Sequence, residues 1–121
     1  MAEIRVGVVG AGGRMGTAVC EAVHVDADLV LAAAVDPHAV GADRCGVTVA
    51  GELRALADAG CHVAVDFTVA DAARITLPWL AMHGMHAVVG TTGFNDDDLA
   101  AFRSAFSGSN CLIASNFAIS A

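Results

Sequence analysis

The stretch Val6-Gly7-Val8-Val9-Gly10-Ala11-Gly12-Gly13-Arg14-Met15-Gly16 decides the fold of this 121-residue chain. Its opening residues belong to an apolar, β-branched run that predicts a buried strand over residues 4–9. Four glycines follow within seven residues, and residues 14–24 have helical character. A strand, a glycine turn and a helix in this order form the context in which a glycine pattern binds a dinucleotide.

The glycines are spaced as Gly10-x-x-Gly13-x-x-Gly16, because Met stands at position 15, where the commoner G-x-G-x-x-G pattern has glycine. Gly10 permits the tight turn, and a glycine at position 12 or 13 lets backbone N–H groups approach a pyrophosphate. Gly16 lets the helix pack close to the strand, and Arg14 can reach a phosphate from the first turn. The helix N-terminus adds free N–H donors and partial positive charge. Taken alone, the pattern also fits an ordinary tight turn.

The charge of the chain narrows the classes of partner. The formal net charge is −7, and all six basic residues are arginines. We therefore expect neither nucleic acid nor an anionic membrane surface as a partner. No apolar run is long enough to span a bilayer, and the N-terminus lacks the layout of a signal peptide. These features predict a cytoplasmic protein.

The cysteines and the acidic run do not indicate a metal site. Cys20, Cys45, Cys61 and Cys111 are scattered without a C-x-x-C motif, which favours buried thiols over a zinc site or a redox pair. Asn95 is predicted to cap a helix, and the acidic run 96–98 that follows it can neutralise the positive first turn of that helix. We predict no metal.

Strands and helices alternate along the rest of the chain. Further strands are predicted at residues 29–35, 63–67, 86–89 and 111–115, and helices at 52–59, 69–82 and 95–106. The alternation predicts an α/β fold: a Rossmann-like, doubly wound parallel sheet with helices on both faces, forming one dinucleotide-binding domain over residues 1–121.

Local signals refine this scheme. Thr68-x-x-Asp71 resembles a capping box at the start of a helix. Pro78 is expected to kink or split that helix. Residues 38–46 are predicted to be a loop punctuated by Gly41 and Gly46, with a short strand over 47–49.

Candidate site residues follow from the strand ends, because ligands on such sheets bind outside the carboxyl ends of the strands. Asp36 ends the second strand twenty residues after Gly16, the interval expected of a carboxylate that accepts hydrogen bonds from the adenosine ribose. Phe67-Thr68 and Gly90-Thr91-Thr92-Gly93 end the next two strands, and Ser115-Asn116-Phe117 the last. Gly90 and Gly93 are expected to let the backbone approach a flat ring or a phosphate.

Four segments together resemble the N-terminal half of the dihydrodipicolinate reductase family, also called 4-hydroxy-tetrahydrodipicolinate reductase. They are Val9-Gly10-Ala11-Gly12-Gly13-Arg14-Met15-Gly16, Val65-Asp66-Phe67-Thr68, Val88-Val89-Gly90-Thr91-Thr92-Gly93-Phe94 and Asn116-Phe117-Ala118-Ile119. Their order and spacing match along essentially the whole chain. The resemblance implies an oxidoreductase that uses NADH or NADPH to reduce an intermediate of diaminopimelate and lysine biosynthesis.

The resemblance also implies which residues surround the cofactor. The residues that would hold the pyrophosphate are Gly10, Ala11, Gly12, Gly13, Arg14 and Met15, with Asp36 at the adenosine ribose. Those that would surround the nicotinamide are Phe67, Thr68, Gly90, Thr91, Thr92, Ala114, Ser115, Asn116 and Phe117. Because Asp36 can accept from both ribose hydroxyls, NADH is expected to bind at least as well as NADPH. Arg44 is the one nearby cation in the sequence that could balance the charge of a 2′-phosphate.

The second domain of the family has no counterpart in this sequence. That domain carries a His-His pair, a lysine general acid and a glycine-rich turn that holds the substrate's carboxylates. We therefore expect no catalytic residue among these 121, no turnover by the chain alone, and small-molecule substrate binding only with the second domain. The five histidines are expected to be structural or exposed. For the full-length enzyme the resemblance implies a homo-oligomer.

Two other functions remain open at this stage. The chain resembles, less closely, the N-terminal domains of other NAD(P)-dependent dehydrogenases, which usually differ at residues 90–93. A free-standing nucleotide-binding or redox-sensing module without catalysis is the second alternative.

Overall fold

The computed structural model describes residues 3–113. Seven strands and four helices occupy this range. In chain order they are β1 Ile4–Val9, α1 Arg14–Val25, β2 Leu29–Val35, β3 Asp43–Arg44, β4 Val47–Thr48, α2 Arg54–Asp58, β5 Val63–Asp66, α3 Ala70–Met82, β6 His86–Val89, α4 Asp96–Ala105 and β7 Cys111–Ile113.

Five of the strands form one parallel sheet in the order β2-β1-β5-β6-β7. The chain passes from β1 to β2 on one side and later places β5 on the other side of β1. The direction of winding therefore changes at β1, and the carboxyl ends of β1 and β5 meet at this switch point. The glycine turn follows β1 directly, so it lies at the place where such sheets bind ligands.

Helices cover both faces of the sheet, which confirms the predicted doubly wound architecture. Cys20 and Val23 of α1 pack against one face, on a cluster that includes Val8. The other face carries α2, α3 and α4, and its cluster includes Val9 and Leu77. Adjacent residues of β1 thus point to opposite faces, and both are buried.

A small hairpin replaces part of the predicted loop. β3 and β4 pair antiparallel within residues 38–48, so the prediction of a loop over 38–46 is wrong for β3. The two connecting residues, Cys45 and Gly46, have φ of 55° and 89°. Two left-handed residues in succession are the geometry of a tight hairpin turn. Cysteine is not among the residues that favour it, which is why the sequence did not indicate it.

The start of α3 differs from its prediction. Its N-cap is Val69, and in the described part of the chain no side chain makes a capping hydrogen bond there. Thr68 donates its hydroxyl to Asp66 Oδ1 at 2.6 Å, and Asp71 pairs with Arg74 instead. The capping box at residues 68–71 is therefore wrong. Nor does Pro78 split the helix, since α3 runs unbroken from Ala70 to Met82.

The start of α4 is capped as predicted. Asn95 accepts the backbone N–H of Asp98 at 2.8 Å, and Asp98 accepts the N–H of Asn95 at 2.9 Å. Three aspartates load the first turn. The acidic run thus neutralises the positive end of a helix. Within residues 3–113 no helix has the length and apolar character needed to cross a membrane.

Arg74 joins α3 to α4. It donates to both carboxylate oxygens of Asp98, at 3.0 and 2.9 Å, and to Asp71 at 2.6 Å. The Asp98 side chain is only 14% exposed. The hydrogen bond from Arg74, with that from the backbone of Asn95, lowers the pKa of Asp98 below its ordinary 3.8. The ion pair between Arg74 and Asp98 therefore fixes the start of α4, where the loop that follows β6 ends.

We predict that Arg74→Ala lowers the urea midpoint of unfolding at neutral pH. Because the pKa of Asp98 is depressed in the folded state, this contribution is present above pH 3.8 and is lost as the pH falls through the folded value. The difference in urea midpoint between the wild type and the variant should therefore disappear at acidic pH. Arg54→Ala is the matched control, since Arg54 and Asp58 are 3.8 Å apart and 82% and 69% exposed. An equal loss in both variants contradicts the special role of Arg74.

Candidate functional site

The glycine turn is held by two close backbone contacts. Gly10 has φ of 88°, and a Cβ there would collide with the carbonyl of Phe67 at the end of β5. A Cβ at Gly16 would collide with the carbonyl of Gly10. Both positions therefore require glycine for the fold itself, as the spacing predicted for Gly10 and Gly16.

Gly12 and Gly13 differ in whether the surrounding structure leaves space for a Cβ. The N–H of Gly12 donates to Asp36 Oδ2 at 2.9 Å, and a Cβ at Gly12 would lie 2.7 Å from that oxygen. At Gly13 the nearest atom to a Cβ is the Gly10 carbonyl oxygen, at an ordinary 3.6 Å. Gly13 has a negative φ of −79°. The folded chain by itself would therefore accept a side chain at Gly13.

The first turn of α1 is left without a cap. Gly13 is the N-cap, and within residues 3–113 no side chain makes a capping hydrogen bond there; no acidic residue lies in the first turn. Arg14 and Met15 occupy that turn, both with exposed side chains. The first N–H groups of a helix have no acceptor within the helix, and the helix dipole adds positive charge there. In contrast to α4, this helix end is ready to receive an anion.

A cavity of about 400 Å³ opens beside the glycine turn, between β2 and α3. Gly10, Gly13 and Asp36 form one side. The rest of the lining is mostly apolar and includes Val69 and Ile75, residues that are 67% and 72% exposed. Exposed apolar side chains around a concave surface are typical of a binding site for a flat, partly apolar group.

Asp36 has a fixed orientation at the edge of this cavity. Its Oδ1 accepts the N–H of His38 and its Oδ2 accepts the N–H of Gly12, both at 2.9 Å. The carboxylate thus joins the end of β2 to the glycine turn. Carboxylate oxygens have further lone pairs, so the same group can accept from a ligand hydroxyl.

The ends of β5 and β6 interlock through Phe67. A Cβ at Gly90 would overlap the ring of Phe67, so the space left by that glycine is filled by the protein's own ring. This differs from the expectation that Gly90 leaves room for a ligand. Gly93, with φ of 95°, is glycine because of its backbone conformation.

Asp66 is the residue that sequence reasoning missed. It ends β5, is fully buried, and lies between the Thr68 and Thr91 hydroxyls. Its Oδ2 is buried without a hydrogen-bond partner within residues 3–113. Burial raises the pKa of Asp66 above 3.8, while hydrogen bonds from Thr68 and Thr91 lower it. An acid at an inward-facing position of an apolar strand was the available signal.

The structure brings most predicted site residues to one edge of the sheet. Gly10, Gly13, Asp36, Phe67 and Thr68 line the cavity. Thr91 is buried against Thr68, whereas Thr92 is exposed. The predicted residues Ala114, Ser115, Asn116 and Phe117 lie outside the described residues.

The other polar candidates have structural partners. His62 Nδ1 accepts the N–H of Arg5, His86 Nδ1 accepts the N–H of Asn110, and the His83 ring stacks on Trp79 at 3.9 Å. Burial raises the pKa of the Cys20 thiol to about 11, which keeps it protonated at neutral pH. Among residues 3–113 no three His, Cys, Asp or Glu side chains are grouped to hold a metal ion.

The switch-point sheet and the uncapped glycine turn define an α/β nucleotide-binding domain of the Rossmann type. The family model for dihydrodipicolinate reductase, N-terminus, matches residues 4–117, and the chain belongs to this family.

Relatives and solved structures agree with this assignment. The chain is 42% identical over 98% of its length to the 4-hydroxy-tetrahydrodipicolinate reductase of Cutibacterium acnes, and 48% identical to that of Thermobifida fusca. It spans 44% of the length of these relatives. A dipicolinate-bound dihydrodipicolinate reductase from Paenisporosarcina superposes with a TM-score of 0.83 at 25% identity, over 98% of this chain and 49% of the other. GenD2 from gentamicin A biosynthesis, solved with NAD, shares the fold, with a TM-score of 0.80 at 23% identity over 97% of this chain and 36% of the other.

We predict that Asp66→Asn changes how stability depends on pH. The raised pKa means that the folded state holds a proton more tightly than the unfolded chain. The wild type therefore loses stability as the pH rises from 3.8 through the folded value, and the asparagine variant lacks that loss. Urea unfolding of both proteins across this range measures it. A constant difference at every pH would contradict a raised pKa for Asp66.

Proposed function

We propose that this chain binds a nicotinamide dinucleotide across the glycine turn and forms the cofactor-binding domain of a reductase. The observation that carries the proposal is the uncapped start of α1, which opens at Gly13 beside the cavity and Asp36. A helix end with free N–H groups suits a pyrophosphate. Arg14 can add a charged hydrogen bond to the phosphate oxygens.

The residues present fit the adenosine half of the cofactor. The missing Cβ at Gly13 leaves room above the turn for phosphate oxygens. The Asp36 carboxylate lies where it can accept from the adenosine ribose hydroxyls. The apolar cavity wall, with Val69 and Ile75, suits the face of an adenine ring. We therefore assign the adenosine half to the β2 side of the turn.

The nicotinamide half then extends over the other side of β1. Because β5 and β6 follow β1 in the sheet, their ends lie beneath this half. Phe67, Thr68, Gly90 and Thr91 occupy those ends, with Thr92 just beyond. Ala114, Ser115, Asn116 and Phe117 belong to the same proposed group by their position after β7.

We propose the reaction of the relatives for the whole protein: reduction of a dihydrodipicolinate-type substrate in diaminopimelate and lysine biosynthesis. The bound cofactor supplies a hydride. The described residues hold and orient the dinucleotide, and the Phe67 ring closes the space between the ends of β5 and β6. The chain contains no lysine to serve as the general acid. We therefore propose that substrate binding and protonation need residues beyond these 121.

Gly13→Ala tests the pyrophosphate site. The folded chain accepts a Cβ at Gly13, so the variant should melt at nearly the wild-type temperature. Its affinity for NADH should fall about tenfold or more, since a methyl group displaces phosphate from charged hydrogen bonds. Calorimetric titration with NADH and a melting curve give the two readouts.

Two further glycines serve as controls for that experiment. Gly108→Ala places a methyl group in open space and should change neither readout. Gly16→Ala should lower the melting temperature sharply, because its Cβ would collide with the Gly10 carbonyl. Unchanged NADH affinity in Gly13→Ala would place the phosphates elsewhere.

The cofactor preference depends on Asp36. A 2′-phosphate beside its carboxylate would meet like charge and lose the ribose hydrogen bonds. Arg44 does not offset this freely, since its Nε donates to the Ala11 carbonyl and its Nη1 to the Asp43 carbonyl, both at 2.8 Å. We propose that NADH binds at least as tightly as NADPH.

Titrating NADH and NADPH under the same salt and pH measures this preference. Asp36→Asn should shift the ratio toward NADPH, because it removes the negative charge and keeps an oxygen for the Gly12 N–H. Arg44→Ala is the companion variant and should leave the ratio unchanged. Tenfold tighter binding of NADPH by the wild type would reject the role assigned to Asp36.

A further inference from the structure

Asp66 is a buried acid that the proposed cofactor contacts leave unexplained. It ends β5 in the middle of the sheet and has no exposed surface. A buried carboxyl is costly unless its hydrogen bonds compensate for the lost water. An apolar residue would cost less at this position, so the groups that Asp66 binds should show what it does.

One oxygen of Asp66 gathers donors from two loops. Oδ1 accepts the Thr68 hydroxyl at 2.6 Å, the Thr68 N–H at 3.0 Å and the Thr91 hydroxyl at 3.2 Å. The Thr91 hydroxyl in turn accepts the N–H of Thr68 at 3.1 Å. Thr68 follows β5 and Thr91 follows β6. The carboxyl therefore sets the distance between the ends of these two strands.

The backbone strengthens the same junction. The N–H of Gly90 donates to the Asp66 carbonyl at 2.8 Å, and the ring of Phe67 fills the space above Gly90. The N–H of Phe67 donates to the Val9 carbonyl at 3.0 Å, which connects the junction to the start of the glycine turn. A shift of the Asp66 side chain would therefore first displace the ends of β5 and β6.

The end of β6, with Thr91, is separated from β2 by β1 and β5, whereas Phe67 and Thr68 at the end of β5 also line the cavity. Asp36 follows β2 at the edge of the sheet, so a dinucleotide with its adenosine ribose at Asp36 would extend its nicotinamide half across the ends of β5 and β6. We propose that Asp66 is a positioning residue that holds the Thr68 and Thr91 loops in the arrangement that receives the nicotinamide half of the cofactor. This inference rests on the proposed dinucleotide function.

The second oxygen of Asp66 fits the same role. Oδ2 is buried without a hydrogen-bond partner within residues 3–113, and burial raises the pKa of the carboxyl above its ordinary value. The contacts that join the Thr68 and Thr91 loops all fall on Oδ1, and Oδ2 takes no part in them. Asparagine, which keeps the Oδ1 acceptor in a neutral group of the same shape, should therefore replace it well.

The test compares NADH with ADP-ribose, which has the adenosine half and the pyrophosphate but lacks the nicotinamide. Calorimetric titrations use the full chain as wild type, Thr91→Val, Asp66→Val and Asp66→Asn. In the two valine variants we expect the Kd for NADH to rise about threefold to tenfold, the size of one lost hydrogen bond. The Kd for ADP-ribose should stay within about twofold of wild type, a shift too small for a lost hydrogen bond. Asp66→Asn should restore the wild-type ratio of the two Kd values.

The possible outcomes are distinct. An equal loss of both ligands would show that Asp66 supports the whole domain and would overturn the positioning role. So would an unchanged NADH affinity in folded valine variants, or an Asp66→Asn protein that behaves as Asp66→Val does. If Asp66→Val does not fold, Thr91→Val decides the question, because it removes one hydroxyl at nearly constant shape. A wild type that binds neither ligand would reject the proposed function itself.

Discussion

The close contact between Gly10 and Gly16 is the constraint on which the rest of the site depends. The first turn of α1 lies against the Gly10 carbonyl so closely that no Cβ fits at Gly16. Gly10 in turn lies against the carbonyl of Phe67. Backbone thus packs on backbone at the ends of β1 and β5, and α1 begins where the two strands end. This contact, rather than any side chain, aims the free N–H groups of the helix over the switch point.

The N-termini of α4 and α1 differ in whether the protein balances their positive partial charge. At α4 an asparagine cap and three acidic side chains satisfy the N-terminus, and Arg74 fixes that arrangement to α3. At α1 no side chain of the described residues 3–113 caps the N-terminus, and Arg14 lies in its first turn. A helix end that the protein does not neutralise is available to an external anion. The contrast explains why the acidic run at 96–98 is structural and the glycine turn is the candidate site.

Sequence patterns were most successful where local chemistry decides the structure. Apolar periodicity predicted the main strands and helices, and Asn95 caps α4 as expected. The failures have tertiary causes. Thr68 leaves its expected capping position because Asp66 offers a buried acceptor, and the Cys45-Gly46 turn forms because β3 and β4 pair. Such competition between partners is invisible along the chain.

The sequence by itself determined the α/β architecture, the place of the glycine turn after β1 and the position of Asp36 at the end of β2. These follow from periodicity, glycine spacing and strand length, all of which are local properties. Only the tertiary structure decided that a side chain would fit at Gly13 but not at Gly12. It also decided that the Phe67 ring fills the space at Gly90 and that Asp66 joins the loops after β5 and β6. Each of these depends on which atoms of distant residues approach within a few ångströms, and the order of the residues along the chain does not encode that approach directly.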